Sequence, residues 1–137
     1  MVPDDIIDAF PRGMLVMHPS LLPKYRGACP IQHAILNQEA FTGTSVIEIS
    51  KGVFDAGNIM AQSSQVPITR DTSFKNLSVQ LSELGGELLA DILKTGDDSL
   101  QNFRAQSRSQ DEGGHEVTYA PMIPAEFGEL SFRDLTS

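Results

Sequence analysis

The stretch Gly13-Met-Leu-Val-Met-His18-Pro-Ser20-Leu-Leu-Pro23-Lys-Tyr-Arg26-Gly27-Ala-Cys29-Pro30 decides how the chain reads. Gly13 to Met17 is a brief apolar run between turn residues, the pattern of a buried strand in a parallel sheet covered on both faces. His18 comes next, at the strand's C-terminal end, the edge at which open α/β sheets bind ligands. Pro19, Pro23, Gly27 and Pro30 punctuate the residues beyond it, so 18–29 is a loop. A helix starts near Pro30, because proline is tolerated in the first turn. Ile31, Ala34 and Ile35 then share one face.

Outward from this stretch, residues 4–10 read as a short helix ending at Pro11. Asn37 to Gly43 is a turn. Thr44 to Ile49 and Asn58 to Val66 read as strands, connected by Lys51 to Gly57. Residues 72–94 are the clearest helix, with Thr72 as N-cap. Leu77, Leu81, Leu84, Leu88 and Ile92 form one apolar stripe, and Gly96 is the stop. Gly85-Gly86 weakens the helix centre by about 1 kcal/mol per glycine relative to alanine. The pair therefore marks either close approach to the sheet or a break between two helices. Residues 106–116 are polar throughout and read as a surface loop. Val117 to Tyr119 and Glu129 to Phe132 look like short strand pieces. The order strand, helix, strand, strand, helix is α/β, with room for an antiparallel pair. It does not complete a doubly wound sheet, which would need strands before residue 1.

Composition narrows the function classes. The 137 residues suffice for one domain. The formal charge is −8, from 10 Lys+Arg against 18 Asp+Glu. A nucleic-acid module usually carries a basic stripe, since phosphate neutralisation dominates affinity; here the nearest candidate is only Lys24-Tyr25-Arg26. The single cysteine, Cys29, forms no internal disulfide, which fits a reducing compartment. No metal-ligand spacing is visible. No apolar run approaches the ~20 residues of a membrane span. The acidic N-terminus reads as neither a signal nor a transit peptide.

A histidine after a buried strand can serve as general acid, base or electrophile stabiliser near neutral pH. A lone one is more often structural. Asp55, beside Gly57 between two strands, is by itself an ordinary turn aspartate. Ser20 lacks the Gly-x-Ser-x-Gly elbow of a hydrolase nucleophile. Cys29 reads as a packing residue, and His33 and His115 as solvent-facing.

Taken together, His18-Pro-Ser-Leu-Leu-Pro-Lys-Tyr-Arg-Gly-Ala-Cys-Pro-Ile31, Phe54-Asp55-Ala-Gly57-Asn-Ile59 and Val117-Thr-Tyr-Ala-Pro121 resemble the folate-dependent formyltransferase family. The segment Arg26 to Ile31 is closest to the branch that acts on methionyl-tRNA. The resemblance covers most of 12–132. It implies an incomplete Rossmann-like fold: residues 1–137 as the later part of a catalytic domain, without its early strands and without the carboxy-terminal tRNA-binding domain. It implies formyl transfer from 10-formyltetrahydrofolate, as co-substrate, to the amino group of initiator methionyl-tRNA, which would be held mostly by regions outside this chain. No metal, no membrane and a monomer are expected. Phe54-Asp-Ala-Gly resembles the organellar form of the family, which implies a mitochondrion; a bacterial source would make it cytoplasmic.

The same resemblance makes His18 and Asp55 the catalytic pair. Ser20, Leu21, Leu22, Pro23, Asp55 and Gly57 would shape the folate cleft. Lys24 and Arg26 would meet the acceptor, although a solvated surface arginine is the competing reading of Arg26. Two departures stand out. The family's asparagine two residues before the histidine is Val16 here, and a lysine usual after the Tyr-Ala pair corresponds to Met122. Loss of one oxyanion donor typically costs ~10²–10³ in rate. Two further readings stay open: a non-catalytic folate-binding or structural module, and an enzyme with a sugar amine or ribonucleotide acceptor.

Overall fold

The apolar run before His18 forms strand β1 (Leu15–His18) in the computed structural model, which describes residues 2–52, 54–112 and 114–128. Around it run α1 (Asp4–Asp8), α2 (Pro30–Leu36), β2 (Phe41–Thr42), β3 (Ser45–Glu48), β4 (Ile59–Gln62), β5 (Val66–Pro67), α3 (Phe74–Leu93) and α4 (Asp97–Gln106), with a 3-10 turn at Ala125–Gly128. The expected strand piece at Glu129 to Phe132 lies outside the described residues.

The described sheet is antiparallel, which corrects the expectation of a parallel one. Its order is β1-β3-β4, and His18 faces Ser45 across the first pair. The helix between β1 and β3 is no crossover onto this sheet. Instead α2 buries Ile31 against Leu77 and Leu81 of α3, so β3 returns alongside β1 in the opposite sense. β1 is an edge strand here and is only half-buried before His18. The two-residue alternation of strands then sorts the side chains. Leu15, Val46 and Met60 face Leu88, Ile92, Leu100 and Phe103 of the helices. Val16, Ile47 and Ile59 face the other way and pack with Leu22 of the loop.

Helix α3 follows its apolar stripe: Leu77, Leu81 and Ile92 are buried, and Leu84 and Leu88 pack at the margins. Its cap is Ser73, whose hydroxyl accepts from the Asn76 amide over 3.2 Å. Thr72, one residue earlier, instead accepts from the Thr69 amide. The glycine pair does not break the helix. At Gly85 an added Cβ would sit 2.4 Å from Met17 Cγ, so this glycine is where the helix meets β1; at Gly86 it would meet nothing within 4 Å.

Three elements differ from the sequence expectation. The expected strand 58–66 is two strands, because Val66–Pro67 leaves the main sheet to pair with Phe41–Thr42, inside the expected turn. Helix α4 has no clear sequence signal, because only Leu100 and Phe103 of its ten residues reach the core. Its first-turn Asp97 and Asp98 suit the positive end of the helix dipole. Val117 to Tyr119 forms no strand; it joins the 18–29 loop through a single parallel bridge between Arg26 and Tyr119.

Leu81 of α3, wholly buried against Ile31 of α2, should cost about 2–5 kcal/mol on truncation to alanine, read by urea denaturation. The two adjacent glycines should respond with opposite signs. Gly86→Ala should gain about 0.5–1 kcal/mol through helix propensity. Gly85→Ala should lose stability, because Met17 must move. Equal effects would contradict the packing described.

Candidate active site

The loop after β1 is held down by side chains of the sheet beneath it. Thr44 Oγ1 donates to the His18 carbonyl (3.1 Å), and Ser45 Oγ to that of Ser20 (2.7 Å). The Leu22 amide donates back to Ser45 Oγ (3.0 Å), and Gln62 Nε2 caps the Leu22 carbonyl (3.0 Å). Buried polar groups must be paired, so these bonds specify the loop's path as well as stabilise it. Its far end is closed from 118–120: the Arg26 amide donates to the Thr118 carbonyl (2.9 Å) and the Ala120 amide to the Arg26 carbonyl (2.8 Å). Gly27 (φ 122°) lies so near that strand-like segment that a Cβ would approach the Ala120 carbonyl oxygen to 2.8 Å.

His18 and Asp55, distant in sequence, meet here. The imidazole Nδ1 lies 3.7 Å from Asp55 Oδ2. The same carboxylate oxygen accepts from the Gly27 amide over 2.9 Å. On its other side, His18 Nε2 is 2.8 Å from the Tyr25 carbonyl. A carbonyl can only accept, so Nε2 carries a proton and Nδ1 is the nitrogen that faces the carboxylate. The Nδ1–Oδ2 separation exceeds a hydrogen bond. The pair is juxtaposed but not locked together.

Two non-glycine residues sit in the left-handed region to make this possible: Tyr25 at φ 62° and Asp55 at φ 47°. Aspartate tolerates that conformation; a bulky tyrosine persists there only where its surroundings over-determine it. Tyr25 is held at both ends. Its amide donates to Thr118 Oγ1 (2.9 Å), its hydroxyl to Glu39 Oε1 (2.6 Å), and Asn37 Nδ2 donates to that hydroxyl (3.0 Å). Burial first, then the bond to Glu39, raises the Tyr25 hydroxyl above the usual phenol range. Reciprocally, that hydroxyl holds the Glu39 carboxyl below the usual carboxylate range, with Lys24 assisting. Asp55 is fixed by its backbone neighbour as well: a Cβ at Gly57 would fall 1.7 Å from the Glu48 carbonyl oxygen, so only glycine lets this connection cross the sheet.

A cavity of about 290 Å³ opens beside Asp55, lined by Val16, Ile47, Ile49, Phe54 and Gly57 among others. It is apolar apart from Asp55 and Ser50. Asp55 and Gly57, both expected in the folate cleft, line it; Val16 brings no donor. The expected set otherwise divides. Leu21, Leu22 and Pro23 line a separate groove with Lys24, Phe41 and Arg108. Ser20 is buried, its hydroxyl spent on the Lys24 carbonyl (2.6 Å). His18 itself is only 5 % exposed. Lys24 is exposed and 3.4 Å from Glu39.

Arg26 is not the solvated surface arginine that the sequence allowed. It is buried, with Nε donating to Gln110 Oε1 over 2.9 Å. Its Nη2 lies 3.8 Å from Asp111 Oδ1 and has no hydrogen-bond partner among the described residues. Gln110 is absent from the residues that sequence singled out, since nothing in the polar run 106–116 sets it apart. It is 3 % exposed, and its Nε2 donates to the carbonyls of both Asp55 and Gly57, each over 2.8 Å. His33, expected in solvent, is half-buried beside the Pro121 carbonyl (3.0 Å). Cys29 is buried against Met122 sulfur. Among the described residues no group of three or more His, Cys, Asp or Glu could hold a metal ion, and no helix is long and apolar enough to cross a membrane.

Comparison with known proteins gives the family. Mouse mitochondrial methionyl-tRNA formyltransferase is 36% identical over 137 residues, covering 100% of this chain and 34% of that protein. The Dictyoglomus turgidum methionyl-tRNA formyltransferase is 37% identical over 126 residues, 92% of this chain and 38% of that protein. The chain thus spans about a third of the length of the curated relatives it matches. Among solved structures, Bacillus halodurans phosphoribosylglycinamide formyltransferase superposes with a TM-score of 0.59 at 26% identity, over 69% of this chain and 50% of that one. The formyltransferase PseJ of Anoxybacillus kamchatkensis, solved with tetrahydrofolate, has the same fold, with a TM-score of 0.63 at 22% identity over 89% of this chain and 59% of that one. Residues 1–93 fit the family described as formyl transferase. The chain therefore belongs to the formyl transferase family.

Proposed function

We propose that the protein transfers a formyl group from 10-formyltetrahydrofolate to the amino group of methionyl-tRNA, in translation initiation. The observation that carries this reading is the imidazole of His18 and the carboxylate of Asp55, 3.7 Å apart, with Asp55 at the wall of a largely apolar cavity. The relatives named for the reaction with methionyl-tRNA match along essentially the whole chain.

In such a transfer the amine attacks the formyl carbon, a tetrahedral oxyanion forms, and the carbon–nitrogen bond to the folate breaks as that nitrogen gains a proton. The site must therefore stabilise an oxyanion and move a proton. With Nε2–H engaged by the Tyr25 carbonyl, Nδ1, beside Asp55, is the nitrogen of His18 open to take up a proton and donate it to the oxyanion. Asp55 attracts the ring when Nδ1 carries a proton, and it relays the proton that the attacking amine loses toward the departing folate nitrogen. The cavity is near the lower end of ligand-pocket volumes, and its aliphatic walls with Phe54 at the rim suit a flat heteroaromatic ring of the folate. Leu21, Leu22 and Pro23, expected in the folate cleft, instead line the separate groove with Lys24, which we assign to the acceptor. With a net charge of −8, most of the hold on tRNA falls to parts of the protein other than these residues. We place 1–137 as part of a catalytic domain in a monomeric protein. A mitochondrial setting accords with the mouse relative, a cytoplasmic one with the bacterial relative.

A second reading, a folate-binding module without turnover, is favoured by two observations. Val16 packs into the apolar cluster where the family has an oxyanion donor, and His18 is nearly inaccessible.

Turnover of 10-formyltetrahydrofolate with charged initiator methionyl-tRNA, in competition with a sugar-nucleotide amine and an aminoribonucleotide, tests the leading reading. His18→Ala should lower the rate by ~10²–10⁴, and Asp55→Asn should lower it without abolishing folate binding. Val16→Asn should raise the rate by ~10²–10³ by restoring one oxyanion donor. Folate binding with no turnover in any of these proteins establishes the module instead.

A further inference from the structure

We infer that Gln110 is the positioning residue of the His18–Asp55 pair. It lies in a run that is otherwise polar and largely exposed, yet its side chain is buried and its amide group is fully engaged. Nε2 donates both of its protons, to the Asp55 and Gly57 carbonyls at 2.8 Å each, while Oε1 accepts from Arg26 Nε at 2.9 Å. One primary amide thus spans the two segments that carry the candidate chemistry. Through Arg26 it grips the loop that follows His18. Through the two carbonyls it grips the connection that carries Asp55.

Gln110 is itself placed by the sheet. Arg108 and Ile59 exchange both backbone hydrogen bonds (2.9 and 3.1 Å), which docks the 106–112 segment on the open edge of β4. Two residues on, Gln110 turns inward. No other natural side chain of this length presents two donors and one acceptor in a plane. Glutamate keeps the acceptor for Arg26 and loses both donors; leucine keeps the volume and loses all three bonds. Asp55 gains most from this arrangement. Its φ of 47° is sparsely populated for a residue with a side chain. A bond to its own carbonyl holds the peptide in the orientation that lets Oδ2 reach the Gly27 amide at 2.9 Å. Gln110 touches neither the cavity nor the imidazole, so it acts on the pair only through these segments.

The catalytic consequence rests on the function proposed above, but the structural inference does not, and the test separates them. Amide hydrogen exchange is measured by NMR on the 137-residue chain and on Gln110→Glu, Gln110→Leu and Asp55→Ala. In both Gln110 variants the Gly27 amide should exchange at least about tenfold faster, approaching its rate in Asp55→Ala. The amides of Val46 and Ala61 in β3 and β4 should keep their protection. An unchanged Gly27 amide overturns the inference. So does acceleration at Gly27 matched by Val46 and Ala61, or loss of fold in both Gln110 variants, since either makes Gln110 a general stabiliser of the chain. Where the parent chain shows formyl transfer, Gln110→Glu should lower kcat at least about tenfold with little change in KM for the folate. Absence of transfer in the parent would count against the proposed function and leave the exchange result standing.

Discussion

One carboxylate oxygen touches both halves of the candidate site. Asp55 Oδ2 accepts the Gly27 amide at 2.9 Å and lies 3.7 Å from His18 Nδ1. Residues 18–27 form an irregular loop, and irregular backbone has no ladder to satisfy its polar groups. It is ordered by what it is given from elsewhere: Thr44, Ser45 and Gln62 from the sheet, Thr118 and Ala120 from a distant segment, and Asp55 from the β3–β4 connection. The imidazole is placed as a result of this lacing and not by the strand alone.

The scaffold explains why these donors arrive where they do. Helices α3 and α4 cover one face of the three-stranded sheet through Val46, Met60, Ile92 and Leu100. That leaves the face bearing Val16, His18 and Ile47 free to take the loop and the cavity. Glycines are used where backbones must nearly touch: Gly85 against Met17, Gly57 against Glu48, and Gly27 against Ala120. Each converts a close approach into a fixed relation between one site segment and its support.

What could be read from sequence divides along physical lines. Regular periodicity reported well: of the stripe, Leu77, Leu81 and Ile92 are buried with Leu84 and Leu88 at the margin, and of the α2 face, Ile31 and Ala34 are buried with Ile35 at the margin. Local chemistry with neighbours in the chain reported well too, as in the strand ending at His18. Sheet direction did not, because an apolar run looks the same in a parallel and an antiparallel pairing, and only tertiary packing of α2 on α3 decided it. Helix α4 carries too faint a signal, because two apolar side chains in ten residues are too few for a period. Of the site, the pairing of His18 with Asp55 came from resemblance; neither residue signals it alone. Gln110 and the burial of Arg26 had no local sign at all. Both depend on a hydrogen-bonding partner more than fifty residues away, which single-sequence reasoning does not reach. Tyr25 is intermediate: its place in the loop was visible, its left-handed backbone was not.

The arrangement of the pair is tested most directly by the ¹⁵N resonances of the His18 imidazole in the parent chain and in Asp55→Asn. The geometry predicts a proton resident on Nε2 in the neutral ring, bonded to the Tyr25 carbonyl, and an Nδ1 resonance that shifts when the neighbouring carboxylate is neutralised, while exposed His115 is unmoved. A neutral ring protonated at Nδ1, or an Nδ1 resonance indifferent to Asp55, would contradict it.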